Sequence, residues 1–150
     1  LLGQAILSIP GVKGVEFGEG FHSAELPGSR LHDPIVVDGG RWTRPSNNAG
    51  GLEGGMSNGG EIRLRAVMKP IPTMKKGLPS FDTVSDRPCA GHSERSDVCA
   101  VPSACVVAEA MAAWTVACAV TAQFGNDRMD DLAQRFASYK QRAERWNLHA

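Results

Sequence analysis

The sequence predicts an α+β fold, and three observations carry that reading. Two runs of alternating apolar and charged residues, at 12–18 and 61–67, have the period of half-buried strands. Two helical patterns follow one another late in the chain, over about residues 103–124 and 128–145. Strand and helix patterns do not alternate along the chain, so a doubly wound parallel sheet is not expected. A length of 150 residues sets the scale of one domain, and 42% hydrophobic with 21% charged residues is the balance of a soluble globular chain. Lys+Arg and Asp+Glu both number 16, so the basic excess expected of a dedicated nucleic-acid binder is missing.

Taken in order, Leu1, Leu2, Ala5, Ile6 and Ile9 follow helical spacing and stop at Pro10-Gly11. The chain opens without the basic region of a secretory signal, and it reads as the C-terminal part of something longer. Val12–Gly18 follows as a strand in which Val15 and Phe17 alternate with charge. Residues 18–61 are turn-rich, with Ile35-Val36-Val37 as a short strand candidate. Within them, the glycines of residues 39–60 predict one long structureless loop, a feature that is functional or disordered when it occurs. Glu61–Val67 forms the second strand, and Met68-Lys69-Pro70-Ile71-Pro72-Thr73 ends it because proline cannot donate to a ladder. Residues 74–94 are polar and weakly patterned. Pro102 opens a helix from about Ser103 to Phe124, closed by Gly125-Asn126. That helix carries one formal charge, Glu109. It is long enough to span a membrane, but alanine contributes little transfer energy and Thr115, Thr121, Gln123 and Glu109 are costly in lipid. A buried central helix is expected instead, and no membrane. The last helix, from about Arg128 to Arg145, bears the stripe Met129, Leu132, Phe136 and Tyr139 of an amphipathic surface helix.

Cys89, Cys99, Cys105 and Cys118 are too sparse for a secreted disulfide scaffold. Cys89-x2-His92 with Cys99-x5-Cys105 lacks the tight spacing of a zinc knuckle. They read as buried or incidental thiols in a reducing cytosol, with no metal expected.

Three stretches have the composition of chemistry. In Asn47–Gly59, paired glycines let backbone N–H groups converge on an anion or lie flat against a planar ligand. Leu52 breaks the dinucleotide glycine spacing, and the Gly-Lys-Ser/Thr of a phosphate loop is absent, so a plain linker loop is the competing reading. Lys69-Pro70-Ile71-Pro72-Thr73 holds an ammonium and a hydroxyl on a proline-stiffened turn, which suits a phosphate clamp as well as an ordinary strand stop. Glu94-Arg95-Ser96-Asp97 precedes the central helix, whose dipole favours an ionised carboxylate at Asp97 even where solvation is poor; solvated loop charges with a helix-capping role are the competing reading.

Together, Ile9–Gly18, Asn47–Gly59, Met68–Thr73 and Arg95–Pro102, with the Val106–Met111 helix segment, resemble the C-terminal part of chorismate synthase in order and approximate spacing. The resemblance covers roughly residues 1–140. It implies a flavin-dependent lyase of the shikimate pathway that removes phosphate and a proton from 5-enolpyruvylshikimate 3-phosphate, an anti 1,4-elimination giving chorismate. It implies reduced FMN without net redox change, with NADPH as a candidate reductant, and a cytoplasmic homotetramer. The implied fold is part of a β-α-β sandwich, a helical core between antiparallel sheets.

Carried over by motif, the resemblance gives Pro10 and Gly11 backbone contacts to flavin and sets Gly54 against the cofactor. It wraps Lys69, Pro70, Ile71, Pro72 and Thr73 around FMN, and puts Arg95 at the flavin and substrate. Asp97 matches a carboxylate that relays a proton toward flavin N5. The side chains at positions 10 and 11 differ among family members, so only the backbone is implied there. The family's two catalytic histidines and several substrate arginines belong to its N-terminal part, and His22, His32, His92 and His149 match none of them. The competing class is a non-catalytic flavin- or phosphate-binding structural remnant, which would never release phosphate.

Overall fold

A computed structural model of the chain describes residues 1–94 and 99–147. Mixed helices and small antiparallel sheets make the fold α+β, as the patterning predicts. Helix α1 (Leu2–Leu7) leads into β1 (Val12–Phe17), which pairs antiparallel with the distant β6 (Leu64–Met68). The register runs from Val12↔Met68 to Phe17↔Leu64, with Lys13 bulged out between Val12 and Gly14. Opposite charges sit directly across this ladder: the Arg65 Nε–H group lies 2.9 Å from Glu16 Oε1, a favourable cross-strand pair. The other Glu16 oxygen accepts the N–H of Phe21 at 3.1 Å and so starts the 3-10 turn Gly20–Glu25. A one-turn helix, α2 (Gly28–Leu31), follows.

Residues 39–60 are not the structureless loop the glycines predict. They contain β3 (Arg41–Thr43), paired with β2 (Val36–Asp38), and a second small hairpin of β4 (Leu52–Glu53) and β5 (Met56–Ser57). The Ile35–Val37 candidate is thus real but shifted by one residue. Gly39-Gly40 and Gly54-Gly55 turn these hairpins, with φ of +56°, +75°, +57° and +78°. Two consecutive positive φ values are what a two-residue hairpin turn of matching twist demands. Residues 74–94, read as unpatterned, hold a further hairpin, β7 (Pro79–Asp82) with β8 (Arg87–Ala90). Pro79 and Pro88 hide it, since proline in a run argues against a strand except at an unpaired edge. Asp82 closes its turn by accepting the Val84 N–H at 2.9 Å and the Ser85 hydroxyl at 2.7 Å.

Helix α3 runs Val101–Phe124 with Pro102 in its first turn, and α4 runs Met129–Asn147. Phe124 meets Phe136 and Tyr139 edge-on, at centroid distances of 5.4 and 5.5 Å, so the stripe read from the sequence joins the two helices. Thr115 and Thr121 turn their hydroxyls back onto the carbonyls of Met111 and Ala117, the usual way a helix satisfies a mid-helix threonine.

The expectation of a buried central helix fails within this chain. Among the described residues only Ile6 and Ile9 are buried apolar side chains, whereas Trp114 is 69% and Val106 67% exposed. Helix α1 packs on α3, and the half-buried positions Ala104, Ala108, Met111, Ala112 and Thr115 form one stripe along it. Every other face is open. The four thiols are free and exposed, which leaves the incidental half of the expectation and not the buried one; Cys105 and Cys118 ride on these open faces. The whole chain exposes 11791 Å², against about 7,400 Å² for a compact monomer of its mass. The open faces of α3 and the exposed hairpins both contribute to the excess.

Close backbone approach fixes one position tightly. Gly50 is buried with φ +66°, and a Cβ there would run into the N–H of Gly18 and the carbonyl of Arg63. Both are main chain and cannot swing aside. Gly50→Ala is expected to cost about 1–3 kcal/mol or more, read as a lowered urea unfolding midpoint. An unchanged midpoint would show that the turn can move.

Candidate functional site

The β1–β6 pairing brings two of the sequence-predicted stretches together. Gly11, with φ +88°, lies just ahead of β1, and its carbonyl accepts the N–H of Lys69 at 2.8 Å. Pro10-Gly11 and Lys69-Pro70 therefore share one end of the ladder. Pro10, Lys69, Pro70 and Pro72 are exposed, while Gly11, Ile71 and Thr73 are half-buried. The ammonium of Lys69 enters no ion pair among the described residues. An unpaired cation beside main-chain groups on a proline-stiffened turn can hold a phosphate without first breaking another bond.

The glycine turn is anchored at the opposite end of the ladder, a strand's length of roughly 20 Å away. There Gly18 donates its N–H to the Arg63 carbonyl, Glu19 donates to Asn48, and Arg63 donates to Gly50. Asn47 spans the turn, donating from Nδ2 to the Glu61 carbonyl at 2.8 Å and accepting the Gly51 N–H at 2.7 Å. Gly54 stands at the tip of the β4–β5 hairpin, with no atom within 4 Å of where a Cβ would be. Open space beside a bare backbone is what a planar ligand needs for close approach. Next to the glycine tip, Glu53 Oε2 receives Arg44 Nη2 at 3.0 Å and Asn58 Nδ2 at 2.8 Å.

Between the β2–β3 hairpin and this turn lies a cleft of about 630 Å³, lined by Trp42, Arg44, Asn47, Asn58, Glu61 and Arg63 among others. The Nε–H group of Arg44 is buried on it without a partner among the described residues. Arg95 and Asp97 fall outside the described residues.

Sequence reasoning missed Asp33. Its carboxylate accepts the Ser46 hydroxyl at 2.6 Å, the Asn48 N–H at 2.8 Å and the Ala49 N–H at 2.9 Å. Partial burial pushes this carboxyl up. The Ser46 hydroxyl, the two N–H groups and the Arg44 guanidinium together outweigh that and hold it below the usual carboxylate range. The signal available was an Asp-Pro step, a common turn initiator, ahead of a Ser-Asn-Asn run. Nothing in one sequence ties the two together.

Small antiparallel sheets beside long helices define the class, an α+β protein, and it carries a bare glycine tip, a reinforced Asn-Asn turn and an exposed lysine. The family model described as chorismate synthase matches residues 1–121. The chain belongs to the chorismate synthase family. It is 53% identical over 141 residues to the chorismate synthase of Moorella thermoacetica, covering 93% of this chain and 37% of that one. It is 54% identical over 130 residues to that of Geobacillus sp., covering 86% and 34%. A solved structure titled "Crystal Structure of Chorismate Synthase" superposes with a TM-score of 0.71 at 40% identity, over 92% of this chain and 34% of that one. The chain thus spans just over a third of the length of these relatives.

Proposed function

We propose that residues 1–150 are the C-terminal part of a single chorismate synthase domain, and that the full-length enzyme converts 5-enolpyruvylshikimate 3-phosphate to chorismate. In that reaction a C–O bond breaks with its electron pair leaving on phosphate, and a proton leaves the ring. The observation that carries the reading is the junction of Pro10-Gly11 with Lys69-Pro70, inside a chain whose relatives bear that name. The residues suit a flavin mononucleotide: an exposed ammonium, in no ion pair among the described residues, for its phosphate, and open backbone at Gly54 for a flat ring. Reduced FMN, when bound, would supply an electron-rich ring to the elimination, and NADPH is the reductant proposed for it.

In this reading Pro10 and Gly11 offer main-chain groups, Lys69 to Thr73 wrap the cofactor, and Gly54 lets its ring approach. Arg95 faces flavin and substrate, and Asp97 takes up and passes on a proton. The uncovered faces of α3 become part of a helical core between antiparallel sheets, filled by chain outside these residues. Protein rather than lipid covers the helix, and the assembly is a cytoplasmic homotetramer.

Lys69→Ala tests the reading directly. Hydrogen bonds to charged groups contribute about 1.5–3 kcal/mol, so FMN binding should weaken roughly ten- to a hundredfold. Fluorescence titration of the full-length enzyme measures it. An unchanged dissociation constant returns Lys69 to the role of a surface lysine at a strand end.

A further inference from the structure

We propose that Asp33 is a positioning residue for the flavin site, holding the Asn47–Gly51 turn so that the β4–β5 hairpin presents Gly54 in one fixed place. This rests on the flavin reading above and deepens it. Three donors converge on the one carboxylate: the Ser46 hydroxyl and Asn48 N–H on Oδ1, and the Ala49 N–H on Oδ2. The fastening is reciprocal, because Asn48 Nδ2 reaches back to the Leu31 carbonyl at 2.8 Å and the Arg30 carbonyl at 3.3 Å. Segments 30–33 and 46–49 are therefore stitched from both sides.

The far side of the turn is closed by packed main chain and by the Asn47 side chain, which accepts the Gly51 N–H and donates to the Glu61 carbonyl. Gly50 and Gly51 are buried against Gly18 and Glu61, and Gly51 accepts the Asn58 N–H at 3.0 Å at the hairpin's base. Slack at Asn48 and Ala49 has nowhere to go except through Gly50-Gly51 into the hairpin. The chemistry calls for a carboxylate and not an amide. Both oxygens of Asp33 accept and neither donates. Asn at this position would set an N–H2 group against another donor, whichever way the amide is turned.

The experiment compares wild type, Asp33→Asn, Ser46→Ala and Lys69→Ala of the full-length enzyme, measuring FMN affinity, melting temperature and hydrogen exchange of the Asn48 and Ala49 amides. For Asp33→Asn, exchange should quicken and FMN affinity fall about ten- to a hundredfold, the scale ångström-level misplacement carries, with melting little changed. Ser46→Ala removes one of the three bonds and should shift affinity the same way by a smaller factor, which keeps the proposal testable if Asp33→Asn does not fold. Quickened exchange with unchanged affinity overturns it, as does an affinity loss that only tracks a collapse in melting temperature. If Lys69→Ala weakens FMN while the Asp33 and Ser46 variants do not, the flavin reading stands and Asp33 alone loses its role. If none of the variants affects FMN, the flavin reading fails and the proposal with it.

Discussion

Asp97→Asn in the full-length enzyme should lower turnover by roughly 10²–10⁴-fold, the span of a lost acid–base group, while FMN affinity changes far less. The expectation comes from the Arg95-Ser96-Asp97 motif: a carboxylate two residues from a guanidinium and four ahead of α3. A nearby cation and the positive end of a helix both favour the charged form, which keeps a carboxylate ready to accept a proton at neutral pH. Asn preserves size and most hydrogen bonding but removes basicity. The competing role is structural. Ala100, at the N-cap of α3, has no side-chain acceptor, so an upstream carboxylate could serve the first turn instead. That role would lower the melting temperature and leave turnover near normal. Measuring turnover, FMN affinity and melting temperature on one preparation separates the two.

The second large effect is all-or-none. Purified residues 1–150, given 5-enolpyruvylshikimate 3-phosphate and reduced FMN, should release no phosphate above a no-protein control, and should self-associate. Among the described residues, Ile6 and Ile9 are the only buried apolar side chains. No core of that size holds the site in place. The exposed apolar length of α3, with Val106, Val107, Trp114 and Val116 on its surface, is a patch that associates. Phosphate release by the purified chain would overturn the expectation.

How much of this was legible in the sequence depended on whether the deciding interaction was local. Val15 and Phe17 announce β1 by alternation, Pro102 and Gly125 bracket α3, and the stripe Met129, Leu132, Phe136 and Tyr139 announces α4, of which Phe136 and Tyr139 meet α3. The glycine pairs were seen and misjudged. Gly-Gly flanked by Glu53 and Met56 is a hairpin turn, but strands of two residues carry no periodicity to reveal it. Pro79 and Pro88 concealed the last hairpin by the same rule that correctly ended β6. The exposure of α3 was illegible for another reason: an all-round apolar helix reports that it will be covered, not by what. Of the site, the motif residues were legible, and their separation along β1 was not, because register is a property of two strands. Asp33 was invisible for the same cause, since its partners lie 13 to 16 residues away.

The order in which these contacts can form follows from how far apart in the chain their partners lie. The three local hairpins close over a handful of residues, cheap events on the microsecond scale. The β1–β6 ladder waits for a chain stretch of about fifty residues to be made, and α1 cannot dock until α3 emerges about a hundred residues later. The entropy of closing such a loop grows only with the logarithm of its length, so the delay is set by synthesis more than by thermodynamics. A nascent chain therefore carries α1 without its α3 partner for most of this segment's translation, and then presents α3 in a single apolar burst. That is the interval in which a chaperone has the most to hold.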